Sequence, residues 1–241
     1  MVTLADARIW FATFGNPSAP AILLLHGGGG SSDYWGDLVT VLAATHHVIV
    51  IDSRGQGRST NESDAISYRQ MAADAIAVLD YIGVAQAIVL GWSDGANTGF
   101  YLALSRPDRI AALFAFAGNA SPTGYQPNTN PAAMRAYVVR TKQEYETLSP
   151  HPMRFGEIMK QLSAMWKTEP ALSASDLRRI TVRTAVVHAE QDEVIRRAHS
   201  EWIAKQIPFA RLVLLPEASH FAPLQRPKAF RDALLDFLAA P

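Results

Sequence analysis

Three short segments carry side chains whose types and spacing could do chemistry together. The first is Ala87-Ile-Val-Leu-Gly91-Trp92-Ser93-Asp94-Gly95, where an apolar run leads into G-x-S-x-G and then into a segment of helical character. A tight strand-to-helix reversal there holds Ser93 in a strained backbone conformation and lifts its hydroxyl above a sheet edge. Side chains two residues before and after the serine would collide, which is why Gly91 and Gly95 occupy those places. The glycine spacing selects Ser93 over Asp94 as nucleophile. Asp94 is left to contribute its main-chain N–H, one of the unpaired donors at a helix start. A hydroxyl at neutral pH is a weak nucleophile and needs a base, itself oriented by an acid. Among seven histidines, His46 and His47 precede a strand, His151 lies in a long strandless stretch, His188 is inside an apolar strand and His199 in a helix. His220 differs, because it follows the last strand in a loop at the same carboxyl edge as Ser93. The acid is expected after the preceding strand, in His188-Ala-Glu-Gln-Asp192-Glu. Asp192 is the choice, with Glu190 and Glu193 as competitors.

A further segment is a glycine run after a buried strand, His26-Gly27-Gly28-Gly29-Gly30. Backbone without side chains can approach a substrate closely, and a second N–H opposite the serine would complete a cradle for a developing oxyanion. Gly28 is the expected donor and Gly29 the alternative, with Gly27 supporting the loop and His26 bracing it by hydrogen bonding rather than transferring protons.

These loops need a frame that brings them to one edge. Short apolar runs alternate with longer segments of helical period, the pattern of a parallel sheet covered by helices. Strands are expected at Arg8–Phe14, Ala21–His26, His47–Asp52, Ala87–Gly91, Ile110–Ala117, Val182–His188 and Arg211–Leu215. Helices are expected at Ser67–Tyr81, Ser93–Ser105, Arg197–Gln206 and Gln225–Leu238. The helix from Ser67 has a capping pair in Ser67 and Gln70, and Gly83 at its exit. From Ala120 to about Ile180 no strand is apparent. A turn-rich entry, SPTGYQPNTNP, leads there into two amphipathic stripes, one of Met134, Tyr137, Val138 and Tyr145, the other of Phe155, Ile158, Met159, Leu162, Met165 and Trp166. Most of each stripe is expected to be core. Helices inserted between parallel strands would nonetheless form a lid over the strands' carboxyl ends. Trp92, Tyr125, Tyr137, Phe155, Met159 and Trp166 are the residues expected to line a mainly apolar pocket beneath it.

Composition removes several other functions. Lys plus Arg and Asp plus Glu both number 22, so the chain lacks the basic field that would hold a nucleic-acid backbone or an anionic membrane. It has no cysteine, which excludes thiol catalysis and thiolate metal sites. The histidines make no H-E-x-x-H pattern and the glycine run no dinucleotide fingerprint, so neither a metal nor a cofactor is expected. No apolar run approaches the roughly 20 residues of a membrane span, and the N-terminus lacks signal-peptide character. A cytoplasmic protein acting on a small molecule is the expectation.

Four motifs in order, His26-Gly27-Gly28, Asp52-Ser-Arg-Gly-Gln-Gly-Arg-Ser59, Gly91-Trp-Ser93-Asp-Gly95 and the Asp192 and His220 loops, resemble the alpha/beta-hydrolase superfamily over nearly the whole chain. The closest likeness is to small lidded esterases of the valacyclovir-hydrolase and oxoadipate enol-lactonase kinds. The resemblance implies an α/β fold with a mostly parallel sheet, helices on both faces and a short helical lid. It also implies a core of residues 1–120 and 181–241, a lid of residues 121–180, and a structural role for the Asp52–Ser59 turn. The implied activity is ester hydrolysis through an acyl-enzyme, with a rate that falls on the acid side near pH 6 to 7. Carbon–carbon bond hydrolysis, enol-lactone opening and cofactor-free perhydrolysis use the same scaffold, and a ligand sensor without turnover would keep the same motifs. The brevity of the insertion implies a shallower pocket than a four-helix lid would make.

Overall fold

In a computed structural model, which describes residues 1–127 and 131–240, the chain forms nine strands and nine α-helices among the described residues. In chain order these are β1 (Val2–Thr3), β2 (Arg8–Ile9), β3 (Phe11–Phe14), β4 (Ala21–Leu25), α1 (Asp37–Ala43), β5 (His47–Ile51), α2 (Tyr68–Tyr81), β6 (Ala87–Trp92) and α3 (Asp94–Ser105). They continue with β7 (Ile110–Phe116), α4 (Pro131–Leu148), α5 (Phe155–Thr168), α6 (Ala174–Arg178), β8 (Arg183–Ala189), α7 (Arg197–Gln206), β9 (Ala210–Leu215), α8 (Ala222–Gln225) and α9 (Pro227–Ala239). Residues 128–130 of the turn-rich entry lie outside the described residues.

Seven strands make one sheet in the order β3-β5-β4-β6-β7-β8-β9, parallel throughout except for β3, which runs against β5. This is an alpha/beta-hydrolase fold. The central strands are apolar on both faces because both are covered. Alternate side chains divide between two cores: Leu23, Leu25, Ile49, Ile51, Val89 and Leu113 pack with α2 and α3, while Ile22, Leu24, Val48, Val50, Phe114 and Phe116 pack with α1 and α9. Ser67 caps α2 by accepting from Gln70 N at 3.2 Å, and Gly83 leaves the helix at φ +72°.

The expected first strand, Arg8–Phe14, is two. Trp10 N donates to Ser59 Oγ at 2.8 Å and Trp10 O accepts from Asp52 N at 3.1 Å, so this residue is tied to the β5 loop and the ladder breaks. Arg8–Ile9 then pairs with β1 and Phe11–Phe14 with β5. The expected last helix, Gln225–Leu238, starts two residues later as α9, its expected first residue closing the separate short helix α8. Pro227 lacks the N–H that would continue α8 and suits the first turn of α9. Between β7 and β8, neighbours in the sheet, α4, α5 and α6 stand outside it. Ile158, Leu162 and Met165 of α5 bury against Ile66, Tyr68 and Met71 of the core. No helix among the described residues is long and apolar enough to cross a membrane.

Candidate active site

Ser93 sits between β6 and α3 with φ +54°, a left-handed backbone that an L-residue keeps only where its surroundings enforce it. The enforcement is close packing. A Cβ on Gly91 would strike the backbone at Gly95 and Ala96, and one on Gly95 would strike the Leu25 and His26 carbonyls of the neighbouring strand end. Ser93 N donates to Phe116 O at 2.8 Å, which seats the turn on β7.

His220 Nε2 lies 3.1 Å from Ser93 Oγ, and its Nδ1 lies 3.1 and 3.2 Å from the two oxygens of Asp192. Residues 93, 192 and 220 thus form one continuous hydrogen-bonded chain from three loops at one sheet edge. Asp192 is buried, and its Oδ1 also accepts from Val194 N and Ile195 N at 2.8 Å. Burial opposes its charge, yet the histidine and the two N–H groups together hold it below the ordinary carboxylate range. His220 answers in the other direction. Burial disfavours its imidazolium, but the charge and hydrogen bond of Asp192, with Glu193 and Asp94 nearby, raise it above the ordinary value of 6.5. Of the competing acids, Glu193 turns to the main chain, accepting His220 N at 2.9 Å.

The glycine loop faces this chain. Gly27 O accepts from His26 Nδ1 at 2.8 Å and from Gly30 N at 3.1 Å. In a trans peptide the N–H opposes the carbonyl, so those bonds aim the Gly28 N–H the other way. Gly29 N donates to Gln56 Oε1 at 2.6 Å, which withdraws the alternative donor. Burial keeps His26 neutral, against the pull of Asp52, and its Nε2 accepts from Ser53 N at 2.9 Å, which leaves Nδ1 as the protonated nitrogen. The second N–H, that of Asp94, opens α3 and has no intrahelical acceptor.

The Asp94 carboxylate is itself part of the site. It accepts from Tyr68 Oη at 2.7 Å and from Trp166 Nε1 at 3.0 Å on both oxygens. Burial raises it above the usual carboxylate range despite these donors. On the insertion's other long helix, Tyr137 Oη donates to Gly28 O at 3.1 Å. Both helices are thereby bonded to the two residues expected to supply the oxyanion N–H groups.

Above Ser93 lies a cavity of about 320 Å³, small for a ligand site. Trp92, Tyr125, Tyr137 and Trp166 line it, as does Gly27. Phe155 and Met159 do not. Phe155 packs on Tyr145 with ring centroids 5.6 Å apart, and Met159 belongs to the same cluster between α5 and the core. Of their stripe, only the end at Trp166 reaches the cavity above the serine. The lining residues not anticipated are Met134, Lys167, Val194 and Phe221. Met134 lies one turn before Tyr137, Val194 is two residues past the acid, and Lys167 and Phe221 directly follow Trp166 and the histidine, so adjacency carried a signal for all four.

Residues 20–146 match the family model described as the alpha/beta hydrolase fold. The chain is 27% identical to 3-oxoadipate enol-lactonase 2 of Acinetobacter baylyi, over 97% of this chain and 94% of that one. It is 25% identical to rhodomycin D methylesterase DnrP of Streptomyces peucetius, over 93% and 92%. The crystal structure of the enol-lactonase from Burkholderia xenovorans LB400 superposes with a TM-score of 0.77 at 23% identity, covering 97% of both chains.

Proposed function

The chain belongs to the alpha/beta-hydrolase family, and from that premise we propose that it hydrolyses a carboxylic ester of small to medium size through Ser93, His220 and Asp192. His220 Nε2 takes the hydroxyl proton as Ser93 Oγ attacks the carbonyl carbon. The N–H groups of Gly28 and Asp94 receive the charge that develops on the carbonyl oxygen. Asp192 steadies the imidazolium, which then protonates the departing alkoxide. Water repeats the sequence on the acyl-enzyme and releases the acid. The insertion acts as a lid, and its apolar cavity walls favour a substrate with a compact acyl group.

The observation that carries this reading is the unbroken contact from Ser93 Oγ through His220 to Asp192, at 3.1 Å for each step. The test is hydrolysis of a nitrophenyl ester with fluorophosphonate labelling. Ser93→Ala is expected to abolish labelling and lower kcat by on the order of 10⁶, and Asp192→Asn by about 10⁴. Near-full activity in Ser93→Ala overturns the assignment. Labelling with a single slow turnover identifies a ligand sensor instead.

A cyclic ester opens by the same steps with its leaving oxygen still tethered. The enol-lactonase likeness supports that second reading. Products from a lactone, a nitrophenyl ester and a meta-cleavage dienoate, compared under one set of conditions, separate it from open-chain ester and carbon–carbon bond cleavage.

A further inference from the structure

Two carboxylates stand side by side at the acid loop, and only one of them touches the imidazole. Asp192 takes His220 Nδ1; Glu193 takes the main-chain N–H of the same residue, at 2.9 Å. On the other side of that residue, Trp92 Nε1 donates to His220 O at 2.9 Å. The histidine backbone is therefore gripped at both its N–H and its C=O, by one side chain from the acid loop and one from the strand that carries the serine. Resting on the hydrolase reading above, we propose that Glu193 is a positioning residue of this site, a buried carboxylate that fixes the His220 main chain and whose negative charge stabilises the imidazolium formed when Ser93 gives up its proton.

Gripping alone does not call for a charge. A glutamine amide would accept the same hydrogen bond from His220 N and would be far less costly to bury. Glu193 is only 1% exposed, and its Oε1 has no hydrogen-bond partner among the described residues. A buried carboxylate with one oxygen unpaired works against folding, and such groups concentrate where their charge serves a reaction. Here the charge lies beside the one group that becomes cationic during acyl transfer. The other titratable groups around His220 are Asp192 on the same loop, Asp94 on the serine turn, His188 on β8, and Tyr125, Tyr137 and Lys167 around the cavity. Asp192 and Asp94 favour the imidazolium together with Glu193, while burial opposes it.

The test compares the intact protein with Glu193→Gln and Glu193→Ala, using the pH dependence of kcat/KM on a nitrophenyl ester, an NMR titration of His220, and Tm. Glu193→Gln keeps the acceptor and removes the charge. It is expected to fold with an equal or higher Tm, to move the acid limb and the His220 titration to lower pH, and to lose less than about tenfold in plateau kcat. Glu193→Ala removes the grip as well and is expected to lose more of the plateau. Superimposable acid limbs in the parent and Glu193→Gln overturn the proposal, and so does a Glu193→Gln protein that fails to fold. A parent that neither turns over ester nor labels at Ser93 refutes the underlying hydrolase reading instead, before the variants are compared.

Discussion

An alanine at position 28 would drive its methyl group into Asp94 Oδ2 and to within 2.7 Å of the Trp166 ring. Something must shift, and the peptide that presents the Gly28 N–H is the part least able to move without losing its aim. Gly28→Ala is therefore expected to lower kcat by about 10²–10³, the usual consequence of losing one oxyanion donor, and to lower Tm by several degrees through overpacking. Steady-state kinetics alongside a melting curve checks both. The base makes a separate prediction. In the proposed mechanism only neutral His220 takes a proton from Ser93, and Asp192 raises the imidazole above its ordinary value against the effect of burial, so the rate should fall on the acid side around a midpoint above 6.5. A midpoint below that value would mean that burial outweighs Asp192. At this scale the sequence was informative because the chemistry demanded particular residue types. G-x-S-x-G with a strand before and a helix after needs no tertiary knowledge. The sequence alone prefers Gly28 to Gly29; the contact that supports the preference, Gln56 Oε1 on Gly29 N, comes from far away in the chain, and no local pattern announces it.

Helix α5 reaches the serine turn through one side chain, the Trp166 indole bonded to the Asp94 carboxyl. Trp166→Phe keeps the ring and removes the donor, leaving a buried carboxyl with Tyr68 as its remaining side-chain donor. A loss of about 1–3 kcal/mol in stability is expected, with a larger effect on KM than on kcat because the pocket wall loosens while the nucleophile and base stay in place. Thermal melting and an ester titration measure the two parts. Helix and strand identities were largely legible, since strands buried on both faces read as unbroken apolar runs and α2 announces itself by Ser67 and Gly83. Boundaries failed where a distant partner intervened. Ser59 bonds the Trp10 amide and splits the first strand, while Pro227 starts the last helix. The pocket-facing side of the insertion failed for another reason. A stripe at helical spacing marks what is covered; Phe155 and Trp166 pack against one cluster, and only Trp166 also reaches the cavity.

Across the whole molecule, Arg54 joins parts that share no strand pairing. Its guanidinium, 3% exposed, meets Asp74 on α2 at 2.7 and 2.8 Å, Asp6 between β1 and β2 at 2.9 Å, and Asn61 at 3.2 Å. Asp74→Ala would leave the buried cation with the partly exposed Asp6 as its counter-charge, at an expected cost of about 3 kcal/mol, and Tm should fall by on the order of 10 °C. A change within two degrees would show that Asp6 and Asn61 suffice. The same breadth of view bears on the helices between β7 and β8. Those strands are parallel and in register from Ala112 opposite Arg183 to Phe116 opposite Val187, so the chain leaves the sheet at one edge, after Phe116, and re-enters the neighbouring strand from the other edge, at Arg183. Within that excursion α6 packs into the core through Leu177, so α4 and α5 are the part expected to be exchangeable as a cassette. A graft of foreign helices between the two strands would leave every strand with its present neighbours and the serine and histidine on their own loops, yet it would clothe the cavity anew and take away the indole and phenol now fastened to Asp94 and Gly28. Exchange of that cassette is the direct route by which such a chain could acquire a different appetite.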